Sequence, residues 1–245
     1  MAAELDCQFM IDNKRVVSVI PARGGSKRIP KKNLYEFEGL KLIEWSIRAS
    51  ISNNYIDQTI VSTDDKDIIK ASNKYNIKIH NRSESLSCDK ASSFDLLKEI
   101  YFNIIKYNAD IIILLQPTSP LRENELISNA LKRSKNKLWS SIIEFYPIKY
   151  FTGEIKNNLW IADYPENTRS QDIPEKFVPS GRFYAYNVKN TIEKNDALGD
   201  RVVPIYTEER QNINIDEYKD LEKLKYIYKN NKKYYEYLIK MEYNV

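Results

Sequence analysis

The sequence predicts a three-layer α/β domain built on a mainly parallel sheet. Three observations carry this. Short β-branched runs alternate with stretches of helical periodicity. The strand runs at Val16–Ile20 and Asp110–Leu115 are nearly continuous in apolar residues, as expected of parallel strands buried on both faces. The chain has 245 residues, 42% of them hydrophobic, enough to bury a full core without disulfides or metals.

Met1–Arg15 is polar and reads as a loose leader to a main domain over 16–245. Val16–Ile20 is the first strand and ends at Pro21. Leu42–Ile51 places Leu42, Ile43, Trp45, Ile47 and Ala49 on a helical repeat. Thr59–Thr63 is a strand, Asp67–Tyr75 a helix, and Ile77–Ile79 a short strand. Ser92–Tyr107 is a helix with Phe94, Leu97, Tyr101 and Ile104 in phase, opened by a Ser92/Asp95 capping box. Asp110–Leu115 is the strongest strand, and Glu123–Ser134 returns to helix. From Trp139 to Asn190 the rhythm breaks. Pro147, Pro165, Pro174 and Pro179 fall among frequent aromatics, which predicts an irregular β insertion or a long loop region of the same domain. Val202–Ile205 resumes the strand pattern, and Glu217–Glu242 is an amphipathic helix. Its interspersed acids disfavour a membrane-surface role.

Composition removes several classes of function. No run approaches the ~18 apolar residues of a membrane span. The acidic N-terminus lacks the apolar core of a signal peptide, so a cytoplasmic location is expected. The net charge of +4, from 38 basic and 34 acidic residues, is too balanced for a nucleic-acid binder. The single histidine, His80, excludes histidine-rich metal sites, and two distant cysteines exclude a disulfide framework. Any metal must rest on oxygen ligands, which suits Mg²⁺.

Three unusual segments, Ala22–Asn33, Ser62–Asp65 and Gln116–Arg122, each follow a strand end. In parallel sheets, ligands sit beyond the carboxyl ends of the strands, so these segments should converge. The first, Ala22-Arg23-Gly24-Gly25-Ser26-Lys27-Arg28-Ile29-Pro30-Lys31-Lys32-Asn33, sets five cations around two glycines and a serine. Backbone N–H groups and cations together suit a polyphosphate. It is not a Walker loop, because GxxxxGK[ST] is absent.

That loop resembles the R-x-G-S-K-x-x-P-x-K-N segment of the acylneuraminate cytidylyltransferases. Leu86-Ser87-Cys88-Asp89-Lys90-Ala91-Ser92-Ser93 is similar to their L-(A/S)-x-D-x-A-S-S segment. Leu114-Leu115-Gln116-Pro117-Thr118-Ser119-Pro120-Leu121-Arg122 is similar to their LLQPTSPLR stretch. The three occur in the family's order, and QPTSP stands where Kdo-using relatives carry a QGDEP-type stretch. The resemblance implies a Rossmann-like α/β/α nucleotidyltransferase fold with a small inserted dimerisation region over 139–190. It implies a cytoplasmic homodimer that transfers CMP from CTP to a nonulosonic acid, with Mg²⁺. N-acetylneuraminic acid or a relative such as legionaminic acid would be the acceptor.

By position, Arg23, Ser26, Lys27, Lys32 and Asn33 would hold the phosphates, with Arg23 and Lys32 acting in catalysis. Arg82 and Ser93 would lie near the nucleoside; without the resemblance, Arg82 reads equally well as a surface cation. Gln116, Thr118 and Ser119 would meet the sugar acid, as would Tyr184 at the end of Phe177–Tyr184, which is similar to an acceptor-lining P-x-x-F-x-P-N-G-A-I-Y segment. Lys149 and Arg169 resemble cations that a partner subunit donates to the sugar carboxylate; the alternative is ordinary exposed cations. Asp89 is read as a helix cap, and His80 is given no role.

Three departures stand out. The family's D-I-D metal motif reads Asn214-Ile215-Asp216 here, leaving Asp216 as the catalytic carboxylate and Asn214 as an uncharged second ligand. Ser180 and Arg182 replace an Asn and a small residue. A downstream aromatic pair is replaced near Leu198-Gly199. The Asn214 change keeps open a nucleotide-binding protein without turnover. A sugar-phosphate nucleotidyltransferase is a further alternative, although its usual G-x-G-T start is missing.

Overall fold

The computed structural model describes residues 13–88, 91–134, 138–208 and 212–241. A seven-stranded sheet forms its centre. β1 (Val16–Pro21) pairs in parallel with β4 (Gln58–Thr63) and β6 (Ile111–Leu114), and β4 with β5 (Lys78–Asn81). β2 (Glu36–Phe37) and β3 (Leu40–Lys41) form a small hairpin before α1 (Leu42–Ile51). Then α2 (Lys66–Ser72) leads into β5, and α3 (Glu84–Ser87) and α4 (Ser93–Glu99) into β6.

Alternation along β1 divides the core. Val16 and Ile20 pack with Ile43 and Ile47 of α1, Ile68 of α2, and Leu131 of α5 (Leu126–Ser134). Val17 and Val19 pack on the other face with Leu96 and Leu97 of α4. A β-branched strand between two helical layers is the arrangement its continuous apolar run implies. Ser92 caps α4 through a capping box with Asp95, as the spacing predicts. The helix then widens into a π-turn over Ile100–Ile104. Asp89, read as a cap, lies outside the described residues.

The segment 139–190 is more regular than its composition suggests. β7 (Ser141–Ile148) and β10 (Lys176–Asn187) are full members of the central sheet. β10 runs antiparallel to both β6 and β7, while β11 (Val202–Tyr206) returns parallel to β7. The complete sheet order is β11-β7-β10-β6-β1-β4-β5. The excursion is therefore shorter than 139–190. It lies between Lys149 and Glu175 and carries a separate hairpin, β8 (Gly153–Lys156) with β9 (Leu159–Ala162). Pro204 is tolerated because β11 is an edge strand.

The C-terminal helix is broken into α6 (Tyr218–Asn231) and α7 (Glu236–Lys240). Leu221, Leu224, Ile227, Tyr228 and Leu238 are buried with Leu42, Trp45 and Ala49 of α1. Its apolar face is thus core, which excludes the membrane-surface alternative for these residues. Among the described residues, no helix is long and apolar enough to cross a membrane. Arg15 is tied to the sheet, its backbone N–H donating to Asp110 Oδ2 at 2.8 Å, so the ordered domain begins before Val16.

Candidate active site

The three unusual segments meet at the carboxyl edge of β1, β4, β5 and β6. Ala22 N–H donates to Ser62 O at 2.9 Å, which carries the β1–β4 pairing into the basic loop. Gly24 N–H then donates to Asp64 Oδ1 at 2.8 Å. A Cβ on Gly24 would stand 2.6 Å from Asp65 Oδ2, so glycine is required for this close approach. Asp65 is itself the N-cap of α2, accepting from Asp67 and Ile68 N–H. Burial pushes the Asp64 carboxyl up. The N–H of Gly24, its own backbone N–H, Ser87 and the Arg82 charge outweigh that and hold it below the usual carboxylate range. Asn33 is buried and donates to Arg23 O at 2.9 Å, closing the loop on itself.

These contacts shape a cavity of about 280 Å³. Its walls include Arg23, Ser26, Lys32, Asn33, Arg82, Ser93, Gln116 and Thr118. Among the described residues three cations and no carboxylate line it, which is the electrostatic form of an anion site. A larger cavity of about 1050 Å³ opens beside β7 and β11. It contains none of the predicted site residues, and the glutamates 123, 125, 144, 175 and 208 on its wall oppose a polyanion.

Other predicted residues stand elsewhere. Lys27 is exposed on the loop and does not line the cavity. Ser119 is fully buried behind Gln116, its Oγ without a hydrogen-bond partner among the described residues. Tyr184 is half-buried opposite Leu114 and packs on the α4 side of the sheet; burial pushes its hydroxyl up. Lys149 and Arg169 are exposed at the two ends of the excursion, away from this chain's own cavity, with Arg169 paired to Asp172 at 2.6 Å.

The 212–216 segment is not a strand, yet its alternation holds. Ile213 and Ile215 are buried, and Asn214 and Asp216 share the outer side, with Asn214 Nδ2 donating to Asp216 Oδ2 at 3.0 Å. Lys32 Nζ donates to Ile215 O at 2.6 Å and to Asp216 Oδ1 at 3.1 Å. Ile215 N–H donates to Thr118 O at 2.7 Å, so this segment borders the cavity. Asp216 and the Asn214 amide oxygen are hard donors. One carboxylate with an amide fits a Mg²⁺ held mainly by phosphates, the usual habit of that ion. Among the described residues, no cluster of three acidic, histidine or cysteine side chains forms a closed cage.

Two arginines hold positions that residue type alone does not reveal. Arg122 is fully buried and donates to Gln116 O at 2.8 Å, to Arg182 O at 2.7 Å and to Ser46 Oγ at 3.0 Å. Arg182 is also fully buried, paired with Glu123 and, at 3.4 Å, with Glu144. It replaces a small residue without presenting its charge to the cavity. Gly181, at φ +80°, sits where a Cβ would fall 2.9 Å from Ser119 Oγ and 3.1 Å from Gln116 Oε1. Leu198 and Gly199 lie at the opposite edge of the sheet, against Ser140 and Ser141 at the start of β7, so they are no part of this site.

Sheet order, edge location and cavity charge define an α/β protein of nucleotidyltransferase type. Solved structures agree in fold. A CMP-2-keto-3-deoxy-manno-octonic acid synthetase complexed with CTP superposes with a TM-score of 0.63 at 21% identity, covering 89% of this chain and 99% of that one. A 4-diphosphocytidyl-2C-methyl-D-erythritol synthase from Anaerococcus prevotii gives 0.61 at 21% identity, covering 89% and 97%.

The chain belongs to the cytidylyltransferase family, whose model matches residues 17–239. It is 31% identical over 223 residues to a pseudaminic acid cytidylyltransferase of Campylobacter jejuni, covering 87% of this chain and 96% of the relative. It is 32% identical over 190 residues to an N-acylneuraminate cytidylyltransferase of Oncorhynchus mykiss, covering 75% of this chain and 43% of that longer protein. The match to a CMP-N,N'-diacetyllegionaminic acid synthase of Legionella pneumophila is 34% over 137 residues, 55% of this chain and 59% of the relative. The protein is an enzyme of the acylneuraminate cytidylyltransferase type.

Arg122→Met is expected to destabilise the fold by about 3–5 kcal/mol, because it strips a cation from a buried network that includes Glu123 and Glu144. Urea unfolding measures this, and a loss below ~1 kcal/mol would show that the freed carbonyls find other donors.

Proposed function

We propose that the enzyme transfers CMP from CTP to the anomeric hydroxyl of a nonulosonic acid and releases pyrophosphate. The observation that carries this is the cavity in which Arg23, Lys32 and Arg82 converge beside Gln116 and Thr118. The relatives named for pseudaminic, neuraminic and legionaminic acids support the acceptor class.

In this reading Arg23, Ser26, Lys32 and Asn33 hold the triphosphate. Arg82 and Ser93 face the nucleoside. Gln116 and Thr118 hold the acceptor so that its hydroxyl oxygen attacks the α-phosphorus in line. The bond to the pyrophosphate oxygen breaks as the new P–O bond forms, and the hydroxyl proton passes to water. Lys32 offsets the charge that develops on the departing pyrophosphate, and the site works chiefly by position and charge. Asp216 and Asn214 would help hold Mg²⁺, which when bound neutralises phosphate charge. Lys149 and Arg169 serve a neighbouring subunit in a homodimer. The hairpin between them exposes Ile155, Leu159, Trp160 and Ile161, an apolar surface suited to an interface.

Pyrophosphate release, measured with each of four nucleotides and a panel of nonulosonic acids, tests the reading. Activity confined to CTP with such an acid is expected, and turnover only with a sugar phosphate would overturn it. Lys32→Ala should lower turnover at saturating CTP by roughly 10²–10³-fold, the usual loss for one donor to developing charge. Unchanged turnover would remove Lys32 from the mechanism.

Asn214→Asp should lower the Mg²⁺ concentration giving half-maximal rate, and Asp216→Ala should nearly abolish activity at any practical Mg²⁺ level. An Mg²⁺ titration unmoved by Asn214→Asp would place that side chain away from the metal. Light scattering should show a dimer, and a fully active monomer would exclude a shared site.

A further inference from the structure

The single histidine of the chain stands directly behind the cavity. Ser62 and His80 are register partners on β4 and β5, so their side chains project to the same face at the carboxyl edge of the sheet. Both are buried. His80 Nδ1 lies 3.0 Å from Ser62 Oγ. Arg82 comes two residues after His80 and turns back on the same serine. Its Nε donates to Ser62 Oγ at 3.2 Å and its Nη2 to Ser62 O at 3.3 Å. Among the described residues no carboxylate accepts a hydrogen bond from Arg82, and Ser62 uses two of the five guanidinium donors.

An arginine only donates, so Ser62 Oγ accepts from Arg82. The serine keeps one proton of its own, and the relay we infer sends it to His80 Nδ1. In that direction His80 accepts at Nδ1 and carries its own proton at Nε2, whereas the other tautomer would donate from Nδ1 to the second lone pair of Ser62. Burial holds His80 below the ordinary histidine range. The Arg82 and Lys78 charges act in the same direction against Glu99 of α4, which favours the neutral ring.

We propose that His80 and Ser62 are positioning residues that hold the Arg82 guanidinium at the angle in which it meets the nucleotide. This rests on the reading of the cavity as the CTP site. It assigns a role to a histidine that touches no ligand, acting only through Ser62. Arg82 is half-buried and, among the described residues, draws its side-chain hydrogen bonds from Ser62 alone. With the hydroxyl free to rotate, the Nε bond is no longer held in place, and the Nη2 bond to Ser62 O alone does not fix the plane of the guanidinium.

The test is direct titration of CTP without acceptor, by calorimetry, on the parent and three variants, together with steady-state kinetics. His80→Leu fills the space but cannot accept from Ser62. His80→Asn places an amide oxygen where Nδ1 stood and can accept. Ser62→Ala breaks the relay at its centre. His80→Leu and Ser62→Ala should each weaken CTP binding roughly three- to tenfold, with turnover at saturating CTP within about twofold of the parent. His80→Asn should hold CTP affinity within about twofold of the parent, and the Ser62→Ala/His80→Leu double variant should be no weaker than either single one.

Imidazole-selective NMR of the untagged parent reads the one histidine without assignment and needs no variant to fold. It should show the Nε2–H tautomer. An Nδ1–H tautomer overturns the relay. So does CTP binding of parent strength in both His80→Leu and Ser62→Ala. Equal weakening by His80→Leu and His80→Asn also overturns it, because packing rather than the hydrogen bond would then be the cause. A parent that fails to bind CTP would sink the functional reading and the relay with it, whereas a parent that binds beside variants that bind equally well would sink the relay alone.

Discussion

The buried guanidinium of Arg122 is the tie on which the Gln116 side of the cavity depends. It fastens three pieces of chain that are far apart in sequence: α1 through Ser46, the Gln116 loop through a carbonyl, and β10 through the carbonyl of Arg182. A cation with no exposure is tolerable only when its donors are satisfied and its charge is balanced. Glu123 and Glu144 supply the balance for Arg122 and Arg182 together. Ser180 donates to Glu144 Oε2 at 2.6 Å, and Tyr237 donates to Arg122 O at 3.1 Å. Burial and the adjacent Arg182 charge push Arg122 down, while Tyr237, Glu144 and Glu123 oppose them. The result is a rigid polar core beneath a loop that must otherwise be free of regular structure.

That core explains why Arg182 stands where a small residue is the family's pattern. Its charge points into the network shared with Glu123 and Glu144, not into the cavity, so the substitution alters the support of the Gln116–Arg122 loop more than the lining of the cavity. Gly181 then becomes the point of contact between support and loop. Its positive φ belongs to the register shift in β10 between Pro179 and Tyr184, where the strand bends toward Gln116 and Ser119.

Local chemistry in the sequence is enough for much of this fold. Leu42–Ile51 is helical over its full expected span, and Ser92 with Asp95 caps α4. Continuous apolar runs locate β1 and β6, and the rule that parallel sheets bind at their carboxyl ends brings the three loops together from sequence alone. Hidden features are those that depend on partners remote in the chain. Pro147 and Pro179 mask β7 and β10, because a proline argues against a central strand. Both in fact fall in the outer half of the β7–β10 pairing, beyond the shift, where β10 no longer runs beside β6. The burial of Ser119 and Arg182 cannot be read from residue type, since both are polar; Arg182 is accommodated by the ion network, and Ser119 is buried with its Oγ unpartnered among the described residues. Leu198-Gly199 escapes a sequence reading for a related reason. Once β10 reverses direction within the sheet, the next stretch of chain emerges at the opposite edge from the site.

The same long-range logic governs the segment Asn214–Asp216. Lys32 and Asp216 lie 184 positions apart, yet the lysine bonds both that carboxylate and the neighbouring carbonyl of Ile215. Thr118 grips the same segment from the other side. A polyanion entering the cavity competes with Asp216 for the Lys32 ammonium. A divalent cation competes with that ammonium for Asp216. Either event alone leaves one charge without its partner, at a cost that rises as the site loses water. A triphosphate arriving with its own cation satisfies both competitions at once. Asn214 brings no charge of its own to this exchange, so in the proposed site a cation competing with Lys32 for Asp216 would have only an amide oxygen from that position to help it.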